Sequence, residues 1–224
     1  VIPKTYTGTI IHDAWQGFAK RDKQKHAGCN AHARRPFAAF IKIDPKNPDA
    51  RIILELYKSV YALEHEAAQG PPEELLARRA KIRAERTKKI MEKIKSEADR
   101  ISKIYCESHT LAVGARYIIN HYVDLIAFLS NPRLPPDNNA AEAALRINAL
   151  IRKNSMFFGS DAAAVRGAAA MTVLHSCKLV GLNPYEYLAH VTPTLLRIRA
   201  GQPQDLRPLT PMAVADQGIL HVGE

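Results

Sequence analysis

The stretch Thr5-Tyr6-Thr7-Gly8-Thr9-Ile10-Ile11-His12-Asp13 is rich in β-branched residues and ends on a carboxylate, which suits a strand with Asp13 at its C-terminal end. After a polar, helix-like stretch, Lys25 to Cys29 offers a short second strand, and Asn30 an N-cap for a helix running to about Lys42. Pro45 and Pro48 then break that helix. Two strands set among helices make the expected class α/β, predominantly helical.

Outward from that core the chain reads as helix. From Arg51 to Ala68, Ile53, Leu56, Val60 and Leu63 recur at three and four and mark one face of a helix, which Gln69-Gly70-Pro71-Pro72 ends. A second helix is expected from about Pro72 to Cys106, with Leu76, Ile90, Ile94, Ile101 and Tyr105 on its apolar side. Together they predict a helical hairpin. Val113 to Leu129 is apolar and of helix length, and Pro132, Pro135 and Pro136 make the following segment a rigid extended connector. Further helices are expected from Asn139 to about Arg152, from Ser160 to Leu179 with Gly181 as C-terminal cap, and after Asn183-Pro184. Beyond Arg199, Pro203, Pro208 and Pro211 and the loss of periodicity predict a loose tail.

The formal charge of +10 over 224 residues points to a polyanionic partner, with nucleic acid first and a basic surface serving solubility as the alternative. Between Glu73 and Tyr105 eleven Lys or Arg stand against six Asp or Glu, a net +5 that is half of the chain's excess. That arm reads either as a DNA-backbone contact or as a solvated face laced with opposite charges. Cys29, Cys106 and Cys177 are widely separated and odd in number, which argues for free thiols in a reducing compartment. No stretch is a membrane span or signal peptide, so a cytosolic location is the default. Serine-nucleophile motifs, phosphate-binding glycine loops and dinucleotide fingerprints are absent, which removes several enzyme classes.

Three candidates for chemistry remain, each with an ordinary alternative. Glu142 follows Asn139 by three positions, which is close to a capping box, so a purely structural role is available to it. Asp13 could be a strand-ending turn residue. His26, Cys29 and His32 are spaced by three at a strand-to-helix junction, but zinc normally takes four ligands and no Cys-x-x-Cys follows, so packing is their expected role.

Taken in order, Asp13-Ala14-Trp15-Gln16-Gly17-Phe18, Cys29-Asn30-Ala31-His32-Ala33-Arg34-Arg35-Pro36-Phe37 and Leu134-Pro135-Pro136-Asp137-Asn138-Asn139-Ala140-Ala141-Glu142 resemble transposases of the insertion sequence 66 family. Arg152-Lys153-Asn154 with Phe158-Gly159-Ser160-Asp161, and Ser176-Cys177-Lys178-Leu179 with Gly181-Leu182-Asn183-Pro184-Tyr185 and Tyr187-Leu188, look like that family's C-terminal signature. The resemblance covers roughly Tyr6 to Leu196.

It implies a bacterial DNA transposase of the Asp-Asp-Glu kind, which cleaves DNA and transfers strands at the ends of an insertion sequence on a ribonuclease-H-like fold. Asp13 then corresponds to the second acidic residue of the triad and Glu142 to the third, both catalytic and metal-binding. Such chemistry uses two Mg²⁺ (or Mn²⁺) ions roughly 3.5 to 4 Å apart, one activating the attacking water or 3′-hydroxyl and one stabilising the leaving oxygen. Arg34, Arg35, Arg152 and Lys153 are candidates for phosphate contacts, with a structural or solvent-facing role as the alternative for each. The implied partners are DNA at element ends and target, further copies of the chain, and an upstream segment or accessory protein; the implied location is the bacterial cytoplasm, at the nucleoid. Ala143 stands where the family usually has an arginine. The chain opens Val1-Ile2-Pro3 without a methionine, and Val1 to His12 contains no Asp or Glu, whereas the family's first aspartate lies on an earlier strand. The expectation is therefore an incomplete triad, inactive alone.

The expected organisation is ribonuclease-H-like strands and helix at 1–50, a basic helical insertion at 51–112, ribonuclease-H-like helices carrying Glu142 at 113–155, a helical C-terminal module at 156–200 and a loose tail at 201–224. A non-catalytic DNA-binding remnant and a helical interaction module are the alternatives.

Overall fold

A computed structural model describes residues 5–14, 25–155, 158–199, 205–218 and 220, without the side chains of 147, 148, 150–152, 154 and 155. Among these, strands β1 (Thr9–His12) and β2 (Lys25–Gly28) pair in parallel, with Thr9 opposite Lys25 and His12 opposite Gly28. Parallel pairing brings both C-terminal ends to one edge, and the Cys29 amide extends the ladder by donating to the His12 carbonyl at 2.9 Å. Gly28 is required by close approach, because a Cβ there would lie 3.0 Å from Leu125 Cδ2 and 3.1 Å from its backbone nitrogen. The chain is thus predominantly helical, with a two-stranded sheet among the described residues.

Helix α1 (Asn30–Phe40) follows directly. Asn30 is not the cap expected from sequence: Cys29 holds that position with no side-chain cap, and Asn30 is the first helical residue. Its buried amide donates instead to the carbonyls of Leu125 and Pro136, both at 2.9 Å. Satisfying two buried carbonyls outweighs capping one helix-terminal amide. Helix α2 (Pro48–Ala68) starts earlier than Arg51 because Asn47 accepts from the Ala50 amide and Pro48 suits the first helical position.

The single helix expected from Pro72 to Cys106 is divided. A 3-10 turn (Pro72–Glu74) leads to α3 (Leu75–Ile82), a π-helical segment (Arg83–Thr87) and α4 (Lys88–Ile104). The wider π turn carries Arg83 and Thr87, four residues apart, both fully buried. The apolar run expected as one helix from Val113 to Leu129 is likewise α5 (Thr110–Asn120), a short α6 (Tyr122–Leu125) and a 3-10 turn (Ala127–Ser130).

One core unites these elements. Phe37 of α1, Ile53, Tyr57 and Val60 of α2, Met91, Ile94, Ala98 and Ile101 of α4, and Leu111 and Ile118 of α5 are fully buried together, with Leu125 and Phe128. Spacings of three and four on α2 and α4 turn one stripe of each inward, and each buried large side chain is worth roughly 1.5–3 kcal/mol. Helices α2 and α4 are therefore packed into the same core as α1.

The chain divides into two compact units between Ala141 and Glu142. Helix α7 (Asn139–Ser155) begins in the first. In the second, α8 (Asp161–Leu179) is capped by Ser160 Oγ, which accepts from the Ala163 amide, and closes at Gly181 (φ 74°) with the Leu182 amide donating to Cys177 O at 2.9 Å. Helix α9 (Pro184–Arg199) follows. Part of the expected loose tail is ordered: α10 (Pro211–Asp216) packs on α8 with Val214 fully buried, and the 3-10 turn before it (Arg207–Leu209) is held by Tyr187 of α9, which donates to Leu209 O at 2.6 Å.

Candidate active site

Asp13 directly follows β1, at the edge where both strands end and α1 begins. Its carboxylate is exposed, with 44% of the side chain open to solvent, and Oδ2 lies 4.0 Å from Nε2 of His32 in the first turn of α1. Ala14, the next residue, has φ 62°, the one non-glycine in the left-handed region among the described residues. An L-residue there costs about 1–2 kcal/mol, and such strain concentrates at functional sites.

Behind Asp13, His12 turns inward. Its Nδ1 accepts from the Ala14 amide at 3.0 Å, which in the neutral ring leaves the proton on Nε2 to be donated to His26 Nδ1, also at 3.0 Å. Burial and then His26 hold the His12 pKa below the usual histidine value, against the opposing pull of Asp124 and Asp13. The hydrogen-bonded His12–His26 pair thus stands behind the carboxylate on the sheet side.

The connector leading to Glu142 is fixed within the first unit. The Asn30 amide and side chain both donate to Pro136 O, at 3.1 and 2.9 Å, and the Asn138 amide donates to Cys29 Sγ at 3.5 Å. Burial pushes the Cys29 thiol up, so it serves as a neutral acceptor. Tyr61 of α2 donates to Asp137 Oδ2 at 2.7 Å, while Asp137 Oδ1 takes the Asn139 amide at 3.0 Å as α7 begins. Glu142 stands in the first turn of α7, exposed, as the first residue of the second unit. A helix N-terminus favours a carboxylate there.

Asp13 and Glu142 therefore fall in different compact units. Arg34 and Arg35 are exposed on α1 and Lys153 is exposed on α7, whereas the Arg152 side chain lies outside the described residues, as do Trp15, Gln16, Gly17 and the ring of Phe18. His26, Cys29 and His32 each engage a separate partner, His12, Asn138 and Asp13. Among the described residues no three His, Cys, Asp or Glu side chains converge as a metal cage. By chemistry the Asp13 and Glu142 carboxylates are hard oxygen donors suited to Mg²⁺. By number they fall short of a triad.

The basic arm resolves differently from its sequence. All five of its arginines meet carboxylates: Arg78 with Glu74, Arg79 and Arg83 with Glu64, Arg86 with Glu66, and Arg100 with Asp49 and Glu97. Lys81, Glu85, Lys88, Glu92, Lys95, Asp99 and Lys103 alternate in sign along one exposed edge apart from the half-buried Asp99, which matches a solvated, charge-laced face. The residues that sequence reasoning missed are Glu64, Arg79, Arg83 and Tyr61, which hold the connector. Nothing in a run of eleven cations distinguishes Arg83 from its neighbours.

The family described as "Transposase IS66 family" matches residues 2–166. Curated relatives from Sinorhizobium fredii (strain NBRC 101917 / NGR234) include the uncharacterized protein y4jD, 32% identical over 74% of this chain and 31% of its own length. The uncharacterized proteins y4qI and y4hP are 31% and 28% identical over 79% and 83% of this chain, and 31% and 36% of their own lengths. The chain spans about a third of the curated relatives it matches. No solved structure matches it.

Proposed function

The chain belongs to the IS66 family of transposases, and from that premise we propose that it carries the second and third carboxylates, Asp13 and Glu142, of a DNA-cleaving and strand-joining centre. The observation that carries the reading is Asp13 itself: a solvent-open carboxylate at the C-terminal end of a parallel strand pair, flanked by a strained Ala14 and backed by the buried His12 with its hydrogen bond to His26. A parallel pair with a helix after its second strand is also what the later part of a ribonuclease-H-like sheet would present, which supports that fold for the whole protein.

Two divalent cations, Mg²⁺ or Mn²⁺, would supply activation of the attacking water or 3′-hydroxyl and stabilisation of the leaving 3′-oxygen. Asp13 and Glu142 would hold them through carboxylate oxygens. His32 orients the Asp13 carboxylate from the first turn of α1, and the hydrogen bond between His12 and His26 braces the strand ends beneath it. Arg34, Arg35, Lys153 and Arg152 are the proposed phosphate contacts, placing element-end and target DNA without reading its sequence. Arginines of the insertion are left out of that set because each already neutralises a carboxylate. Residues 1–12 hold no Asp or Glu, so the third ligand is proposed to come from an upstream segment of the family protein, which assembles on DNA as more than one copy in the bacterial cytoplasm.

The test is Mg²⁺-dependent nicking and joining of an element-end DNA by this chain, with and without the upstream segment that bears the family's first aspartate. Activity in the mixture and none in the chain alone is the expected result. Activity of the chain alone would show the site to be misassigned, and inactivity of both, with salt-sensitive DNA binding retained, would favour a non-catalytic DNA-binding remnant.

A further inference from the structure

We propose that Arg83, backed by Glu64, is a positioning residue for the reaction: it fixes the path of the connector from Asn131 to Asn138 and so the point at which α7, with Glu142 in its first turn, begins. The inference rests on the reading of Glu142 as a metal ligand.

Arg83 is fully buried, and all five of its N–H groups are used. Nε and Nη2 donate to the two oxygens of Glu64 at 2.7 and 2.8 Å, while Nη1 donates to the carbonyls of Phe128 at 2.5 Å and Asn131 at 3.0 Å. The remaining Nη2 proton goes to Leu134 O at 2.9 Å. The guanidinium also lies over the Phe128 ring, 4.8 Å from its centroid. A buried ion pair is a poor means of adding stability, since a well-packed apolar pair does as well or better. What an apolar pair would not provide is recognition of three backbone carbonyls in one short segment.

That segment has particular need of a partner. Pro132, Pro135 and Pro136 remove amide donors and forbid a helix, so beyond the Leu134 amide on Asn131 O its carbonyls take their donors from outside. Arg79, one turn before Arg83, donates to Pro132 O at 3.0 Å and stands 3.2 Å from the same Glu64 carboxylate. Tyr61 holds Asp137 from α2, three residues before Glu64. From the opposite side Asn30, at the start of α1, holds Pro136. The connector is therefore gripped by the insertion and, a few residues on, by the element that flanks Asp13. Arg83 opens the π-helical segment and is one of its two buried residues. On this account the insertion is an internal splint for the glutamate-bearing helix.

The experiment uses two variants in the full chain with the upstream segment: Arg83→Lys, which keeps the charge and loses the fork, and the double variant Glu64→Leu with Arg83→Met, which removes both members of the buried pair and leaves Arg79 its bond to Pro132 O. Amide hydrogen exchange is read at Asn131, Arg133, Leu134 and Asp137 to Ala141 and compared with the amides of α2 and α4, alongside the DNA-cleavage rate and KM for DNA. The expected result is exchange at least about tenfold faster in the connector and first turn of α7, unchanged protection in α2 and α4, and a cleavage rate reduced about 100-fold at unchanged KM, the scale of a misplacement of about 1 Å. Unchanged connector exchange in both variants would overturn the proposal, as would faster connector exchange with full cleavage. Loss of protection throughout α2 and α4 in both would reduce Arg83 to a fold-holding residue and overturn it too. A wild type inactive even with the upstream segment would sink the transposase assignment instead, while the exchange arm still reads the clamp.

Discussion

The two compact units solve the same problem, burying helices, to very different degrees. In the first, α1, α2, α4 and α5 present stripes of large residues that close a common core, and even an arginine is sealed inside with every donor matched. In the second, α8 has no such stripe: among its described residues only Cys177 is buried, and the core is the small set Cys177, Leu182, Tyr187, Val191 and Val214. An apolar groove of about 750 Å³ runs along α8 past Leu145, Phe158 and Met171, with Leu179 85% exposed at its end. The difference teaches where rigidity is placed: in the unit that holds Asp13 and the connector, and much less in the helices that follow Glu142.

The largest effect expected of that contrast is in the core. Phe37→Ala, at the centre of the first unit, should cost about 3–5 kcal/mol, whereas Cys177→Ala in the second should cost well under half as much; chemical denaturation of both variants measures the pair. Equal losses would erase the distinction. Arg83→Met alone should approach Phe37→Ala, at up to about 3–5 kcal/mol, because it strips the largely buried Glu64 of its two-pronged partner and leaves it only Arg79 at 3.2 Å; adding Glu64→Leu should recover much of the loss in the same assay.

Acid sensitivity should also localise to the first unit. Burial would raise the Asp49 pKa, but hydrogen bonds from Arg100 at 2.5 Å and Tyr105 at 2.8 Å carry it below the ordinary value of 3.8. A carboxyl whose folded pKa is depressed contributes stability that is present above its unfolded pKa and lost as pH falls through the folded one. Stability should therefore drop on acidification below about pH 4, and Asp49→Asn should flatten that part of the curve while lowering stability at neutral pH. A curve of unchanged slope would remove Asp49 from the account.

The smallest effect should be a gain. Ala14→Gly relieves a left-handed φ and should stabilise the first unit by about 1 kcal/mol, read as a higher midpoint of thermal unfolding. A loss would mean that the strain at Ala14 is absent in solution.

Much of this was legible in the sequence, for reasons that are local. β-Branched runs and the i, i+3, i+4 stripes of α2 and α4 place the strands and core helices, and Gly181 marks its helix end because only a left-handed residue closes that turn. Asp13 and Glu142 were readable as candidates from motif order. What escaped was tertiary. Asn30 looks like a cap until Pro136 and Leu125 offer it buried acceptors, and a π turn has the same residue preferences as the helix around it. The role of Arg83 depends on carbonyls 45 to 51 residues away, and no spacing rule along the chain reports such a meeting.

The most direct test of the central claim is to replace Asp13 by Asn and Glu142 by Gln, each alone, in the complete family protein and to measure Mg²⁺-dependent cleavage of element-end DNA beside its DNA affinity. The account predicts that either substitution lowers cleavage by about 10³-fold or more, since such residues act as a unit, with DNA bound as tightly as before; cleavage at the wild-type rate by either variant would contradict it.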